Sequence, residues 1–337
     1  MSKRVSVGLI GAGRIGKRHA RTLAFETTAA ELAVVCDVDE TSARSLALEC
    51  NCDRWAMDPY SVISDPSVDA IAIASSTDSH APLITAAADA GKHVFCEKPI
   101  ALDLESTDQA LTAVDRAGIK LQIGFQRRFD NAYHQAKTMM MAGKVGRIES
   151  IRESMRDPNP PHRDYLPTSG GLFRDMSIHD FDCVRWLMGE EVEELFAFAS
   201  NLVDPMFGET GDVDTSIVSM KFANSSLAVI DNSRRSAFGY DIRTEIFGSE
   251  GALFVGNPRD SGLLHLSSAG VVSDHVYWFL ERFDDAYVAE IRAFIDCLVN
   301  DTEPLVTGAD GRAAMVLAYA AEASVSSNRP VSPKDYS

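Results

Sequence analysis

Asp175 and His179 stand four residues apart in a segment with helical character, so both side chains leave the same face. A carboxylate that orients an imidazole through one ring nitrogen leaves the other nitrogen as a base competent near neutral pH. Oxidation of a secondary alcohol needs such a base, because the hydroxyl proton must leave as hydride departs. A purely structural helix pair has the same spacing, so the pattern alone leaves both readings open. Lys98 lies in Glu97-Lys98-Pro99. An ammonium there could hydrogen-bond a reacting oxygen and stabilise the charge it gains, or the tripeptide could be an ordinary solvated turn. Proline fixes the local backbone, and X-Pro bonds are the ones that adopt the cis form. Asp175, His179 and Asp182 also read as metal ligands, with His162 arriving from the preceding loop. No cysteine or second histidine on the helix completes a tetrahedron, so no metal is expected. The other histidines, at 19, 93, 134, 265 and 275, show no partner pattern and read as structural or surface residues.

Hydride that leaves a carbon must be accepted. The hexapeptide Gly11-Ala12-Gly13-Arg14-Ile15-Gly16 fits G-x-G-x-x-G, directly after a strand-like run and at the opening of a helix. In that context the first glycine allows a tight turn, the second lets backbone approach a pyrophosphate, and the third lets helix pack on strand. The helix N-terminus offers free N–H groups and a positive dipole end to the phosphates. Arg14 and Ile15 could face the pyrophosphate and adenine. Asp37 ends the second apolar run, 21 residues after Gly16. A carboxylate there accepts from the adenosine ribose hydroxyls and repels a 2′-phosphate, so the expected cofactor is NAD rather than NADP. Ser75, Ser76 and Thr77 follow the fourth run and lead to His80. They fall where ligands bind in open parallel sheets, and could meet the nicotinamide ribose or simply cap a helix. Glu97 and Lys98, after the fifth run, fall in the same crevice and are cofactor candidates too.

These residues require a scaffold. Short apolar runs at 5–10, 32–36, 54–57, 70–74, 93–96 and 120–125 alternate with helical segments at 15–25, 41–50, 80–90 and 104–117. Gly91 and Gly118 stand just past two of those helices as stop signals. This alternation predicts an α/β, Rossmann-type doubly wound parallel sheet over residues 1–124. Beyond it come a helix at 132–141, a strand at 148–155, a Pro-rich loop at 157–167 and a helix at 175–188. Consecutive strands at 192–201, 215–222, 226–232, 243–247 and 252–255 follow, then helices at 286–299 and 311–324. Strands without intervening helices predict a C-terminal α+β domain over 125–337 with a mostly antiparallel open sheet.

Composition narrows the partners. The 337 residues suit two domains, and 45% hydrophobic with 24% charged residues is a globular balance. Against 49 acidic residues stand 32 basic ones, giving −17. That charge disfavours nucleic acid and anionic membrane surfaces. No apolar run approaches the roughly 20 residues that cross a bilayer, and residues 1–4 lead straight into a strand without a secretory pattern. The six cysteines are scattered and read as reduced thiols. A soluble, cytoplasmic protein is expected.

Taken together, GAGRIG, the STxxH-like segment ending at His80, EKP at 97–99, GFQRRFD at 124–130 and GGLFRDMSIHDFD at 170–182 resemble the Gfo/Idh/MocA oxidoreductases over nearly the full chain. RDPNPP at 156–161, DMSIHDFD at 175–182 and DNSRRSAFGYDIR at 231–243 are most similar to its inositol 2-dehydrogenases. The resemblance implies that Lys98, Asp175 and His179 form the catalytic group. It further implies NAD as cofactor, a cyclic polyol as substrate, a role in inositol catabolism, and a homo-oligomer, commonly a tetramer, formed through the C-terminal sheet. By position Arg127, Asn159, His162 and Tyr240 are candidate substrate contacts beside Lys98, Asp175 and His179, because a cyclic polyol offers only hydroxyls to recognise. Two alternatives stay open: a scyllo-inositol or glucose-like sugar dehydrogenase, and a non-catalytic NAD-binding sensor.

Overall fold

A computed structural model describes residues 4–336. By contacts the chain forms two compact units, the first comprising residues 1–129 with 285–315, the second 130–284 with 316–337.

The first unit is built on six parallel strands: β1 Val5–Ile10, β2 Ala30–Cys36, β3 Trp55–Ala56, β4 Ala70–Ile73, β5 His93–Glu97 and β6 Leu121–Gly124, in the order β3-β2-β1-β4-β5-β6. Nearly every residue of β1, β4 and β6 is buried, as expected of a sheet covered on both faces. Local chemistry sets the helix ends. In Leu104–Ala117, for example, the Asp103 side chain accepts from the Ser106 N–H and Gly118 closes the helix at φ +65°. The helix Arg14–Arg21 gives way to a π-helical turn, Thr22–Glu26, where continuous helix is expected from sequence.

The division between units is not the linear one at residue 124. Helix Asp284–Asn300 places Ile291, Phe294 and Ile295 in one buried cluster with Val7, Leu9, Val35 and Phe95. A face of the parallel sheet is therefore covered by residues from near the chain's end. Burial of large apolar side chains at roughly 1.5–3 kcal/mol each outweighs the modest entropy of closing so long a loop.

In the second unit the strands are β7 Ile148–Arg156, β8 Val192–Ser200, β9 Thr215–Phe222, β10 Leu227–Ser233, β11 Asp241–Gly248 and β12 Gly251–Val255. They form one sheet in the order β12-β11-β7-β10-β9-β8, antiparallel throughout except for the parallel β7–β10 pair. Alternation along β9 buries Ser216, Val218, Met220 and Phe222 and turns Ile217, Ser219 and Lys221 outward. A hairpin, Leu264–Ser267 with Gly270–Ser273, adds two strands that sequence patterning misses. All of its residues are exposed, so no periodic burial marks it. Among the described residues no helix is long and apolar enough to cross a membrane. All six cysteines are free thiols, five of them buried.

Candidate active site

The glycine turn has the geometry a dinucleotide needs. Gly11 adopts φ +103°, and a Cβ there would stand 2.4 Å from the Ala74 carbonyl oxygen. At Gly16 a Cβ would lie 1.9 Å from the Gly11 carbonyl oxygen, so neither position admits a side chain. Gly13 is exposed, meets nothing within 4 Å, and is the uncapped N-terminus of helix Arg14–Arg21. Its open face at a helix N-terminus suits a pyrophosphate. Ala12 is buried, whereas Arg14 is exposed and Ile15 half-buried.

Asp37 stands just past β2 and is fixed by two backbone donors. The Ala12 N–H reaches its Oδ2 at 2.7 Å and the Asp39 N–H its Oδ1 at 2.9 Å. Gly11, Gly13, Asp37, Ser75 and Ser76 line one cavity of about 650 Å³ beyond the carboxyl ends of β1 and β4. This is the crevice where the strand order reverses, and its donor set fits NAD. Ser75 Oγ bonds Ser79 Oγ at 2.6 Å, and Thr77 begins a short 3-10 turn over Thr77–Ser79.

His80, a cofactor candidate from sequence, is buried and serves the backbone instead. Its Nδ1 lies 2.7 Å from the Pro99 carbonyl oxygen and its Nε2 3.2 Å from that of Ser75. Burial lowers its pKa, and a neutral ring has one N–H, which the shorter contact takes. The imidazole therefore braces the turn that carries Lys98. Glu97 closes β5, Lys98 follows it half-buried, and the Lys98–Pro99 bond is cis.

Asp175 and His179 share an element of the second unit, but it is not one continuous α-helix. Phe173–Ser177 is a π-helical turn, and the α-helix proper runs Ile178–Met188. Such single π turns recur at functional sites. Both side chains are half-buried. Asp175 is held by two partners that sequence reasoning missed: Tyr165 donates its hydroxyl to Oδ1 at 2.9 Å, and Arg234 Nη2 stands 2.9 Å from Oδ2. Arg234 is buried, with Asp157 on its other side at 3.7 Å. Partial burial and the Asp175 charge push the Tyr165 phenol up, which keeps it a donor. The only sequence signal for Arg234 was the Arg234-Arg235 pair within 231–243, which carried no chemistry by itself. Below lies a second buried network, in which Asn232 Nδ2 donates to Asp180 Oδ2 at 2.6 Å and Ser177 Oγ to Asn232 Oδ1 at 2.6 Å.

The remaining nominees differ in exposure. Asn159 and His162 are exposed on the Pro-rich loop, where Asn159 Nδ2 donates to the Tyr277 hydroxyl at 3.3 Å. Tyr240 is buried against Phe279 and Phe283. Arg127 belongs to the first unit and is buried. Asp182 is buried within helix Ile178–Met188.

The GFO/IDH/MocA C-terminal domain matches residues 133–254, and the oxidoreductase family with an NAD-binding Rossmann fold matches residues 5–125. A myo-inositol 2-dehydrogenase of Thermotoga maritima is 43% identical over 96% of this chain and 97% of its own length. The scyllo-inositol 2-dehydrogenase (NAD(+)) of Bacillus subtilis is 35% identical over 98% and 97%. The crystal structure of scyllo-inositol dehydrogenase from Lactobacillus casei, with bound NAD(H) and scyllo-inositol, superposes with a TM-score of 0.91 at 30% identity, covering 98% of this chain and all of that one. The glycine crevice with Asp37 and the two matched domains lead to one conclusion: the chain belongs to the Gfo/Idh/MocA family of NAD-binding oxidoreductases.

Proposed function

We propose that this chain is an inositol 2-dehydrogenase that oxidises myo-inositol to 2-keto-myo-inositol (scyllo-inosose). The observation that carries the chemistry is the pairing of Asp175 with buried Arg234 and the Tyr165 hydroxyl. The Tyr165 hydroxyl and the Arg234 guanidinium fix Asp175 on the same element as His179, as a residue that orients a base must be. In this reading His179 takes the proton of the substrate hydroxyl, Asp175 orients His179, and Lys98 hydrogen-bonds the oxygen as it gains negative charge. NAD, when bound, accepts the hydride at its nicotinamide C4. Gly13 and the helix behind it hold its pyrophosphate, and Asp37 its adenosine ribose. Asn159 and His162 supply exposed polar groups for the ring hydroxyls.

The relatives include both myo- and scyllo-inositol enzymes, so the substrate is decided by assay. With myo-inositol, scyllo-inositol and glucose in parallel, NADH absorbance is expected to show the highest kcat/KM for myo-inositol. A higher value for either competitor reassigns the substrate. Failure of every polyol alongside intact NAD binding would favour a sensor. For the cofactor, Asp37→Ser removes a charged hydrogen bond worth roughly 1.5–3 kcal/mol, which is about ten- to a hundredfold in NAD affinity. Unchanged NAD titration in that variant would remove Asp37 from the site.

The outward face of the second unit's sheet supports self-association. Phe198 and Ile217 face each other across β8 and β9, and Leu227, Phe247 and Phe254 are also exposed. An apolar sheet face of this kind suits a second copy, as in the homotetramer that the family resemblance implies. Sedimentation is expected to show an oligomer, and Ile217→Lys to dissociate it.

A further inference from the structure

Behind the Lys98 turn lie three ionisable side chains to which the proposed chemistry gives no role: His19, Glu97 and Glu290. His19 sits on the helix that the glycine turn opens, Glu97 ends β5, and Glu290 lies on helix Asp284–Asn300. His19 and Glu290 have no exposed side-chain surface, and Glu97 has 13%. His19 Nε2 is 2.7 Å from Glu97 Oε1 and 3.9 Å from Glu290 Oε1. The rings of Phe95 and Tyr287 pack edge-on against the imidazole, with centroids at 5.0 and 6.1 Å. Among the described residues no donor hydrogen-bonds either carboxyl oxygen of Glu290. The buried Gln122 amide donates instead to the Glu290 backbone carbonyl, at 2.8 Å.

Charge counting restricts this cluster. An ionised Glu290 would be a buried carboxylate without a donor, beside a second carboxylate, and such a group takes up a proton instead. Burial, followed by the Glu97 charge, pushes Glu290 well above the usual carboxylate range. Glu97, by contrast, has a direct hydrogen-bond partner: His19 meets its Oε1. Its carboxyl group also fills the space beside Gly124, where a Cβ would come within 3.0 Å of Cδ.

We propose that His19, Glu97 and Glu290 form a positioning triad for Lys98, with Glu290 as a neutral acid and Glu97 as the single carboxylate, held by His19. This rests on the catalytic reading of Lys98 given above. Successive strand residues face opposite sides, so fixing Glu97 inward directs the next residue outward. The residues on both sides of Lys98 are then fixed by buried imidazoles: Glu97 by His19, and the Pro99 carbonyl by His80. Because His19 also lies on the helix that would hold the pyrophosphate, the triad links the cofactor helix to the lysine turn.

The protonation state is read on the intact protein by infrared spectroscopy. The wild type at neutral pH should show the C=O stretch of a buried carboxylic acid, absent from Glu290→Gln. A raised folded-state pKa gives stability that is complete below the unfolded glutamate value of about 4.3 and lost as pH rises toward the folded value. Glutamine does not titrate, so the Tm of Glu290→Gln should exceed that of wild type increasingly above that pH and converge with it below. For positioning, His19→Leu should lower kcat by about tenfold or more at nearly constant KM and NAD affinity, the pattern of an interaction realised in the transition state. His19→Gln, which keeps an Nε2 donor, should recover most of that loss. Absence of the band, a Tm deficit of Glu290→Gln that grows with pH, or a divalent metal that copurifies with wild type and is lost from Glu290→Gln would overturn the triad. So would equal kcat for His19→Leu and wild type. Near-normal turnover of Lys98→Met would instead overturn the catalytic reading of Lys98, leaving the band and the Tm difference in place.

Discussion

Replacing His179 by alanine is expected to reduce turnover by about 10²–10⁴, the usual contribution of a positioned general base. At 1.36 kcal/mol per factor of ten, that is roughly 2.7–5.5 kcal/mol of lost transition-state stabilisation. In the proposed mechanism His179, half-buried and four residues after the fixed Asp175, is the group that takes the substrate proton. With the imidazole gone, the remaining rate should rise with pH as hydroxide substitutes for it, and NAD titration should be unchanged. NADH absorbance measured across pH checks both points. A variant with near-normal kcat would remove His179 from the mechanism.

Arg234→Met is expected to cost about 3–5 kcal/mol of folding stability, because removing one partner of a buried ion pair leaves the other charge uncompensated. Here two charges are affected: Asp175 at 2.9 Å and Asp157 at 3.7 Å face the same guanidinium, whose side chain is only 4% exposed. Lysine at this position should recover only part of the loss, since a single ammonium cannot span two carboxylates as a planar fork does. Adding Asp157→Asn to Arg234→Met should restore some stability, and the double-mutant cycle gives the coupling. Urea denaturation followed by circular dichroism measures each term. An unchanged midpoint in Arg234→Met would show that the pair is not needed for folding.

These two residues also mark how far the sequence could be read. His179 was nominated from its spacing to Asp175, four positions away, because local spacing alone proposes such a pair. Arg234 was not, because it meets Asp175 across 59 residues, through the placement of the chain just past β10. The same limit hid His19, whose partners Glu97 and Glu290 come from a strand and a helix far along the chain. In the first unit most element bounds were readable, since apolar runs, an Asp103 cap and a Gly118 stop agree at each level. The π turn at Phe173–Ser177 has no local signature, so a continuous helix was expected there. His80 drew attention as a polar residue beside the crevice, but its ring is held by the Pro99 carbonyl, on the next βα connection. Asp37 was nominated on local grounds alone, the end of β2 and the distance to the glycine turn, and its side chain does meet the Ala12 N–H of that turn.

The return of residues 285–315 to the first unit bears on how the protein is made. A ribosome adds about 5–20 residues per second, so roughly eight to thirty seconds separate the emergence of residue 129 from that of residue 285. Throughout that interval the nascent sheet lacks Ile291, Phe294 and Ile295, and the cluster around Leu9, Val35 and Phe95 is without its cover. The nucleotide-binding unit is begun first yet cannot be completed until residues 285–315 emerge, and biosynthesis has a built-in window in which chaperones, proteases and neighbouring nascent chains compete for the same apolar surface.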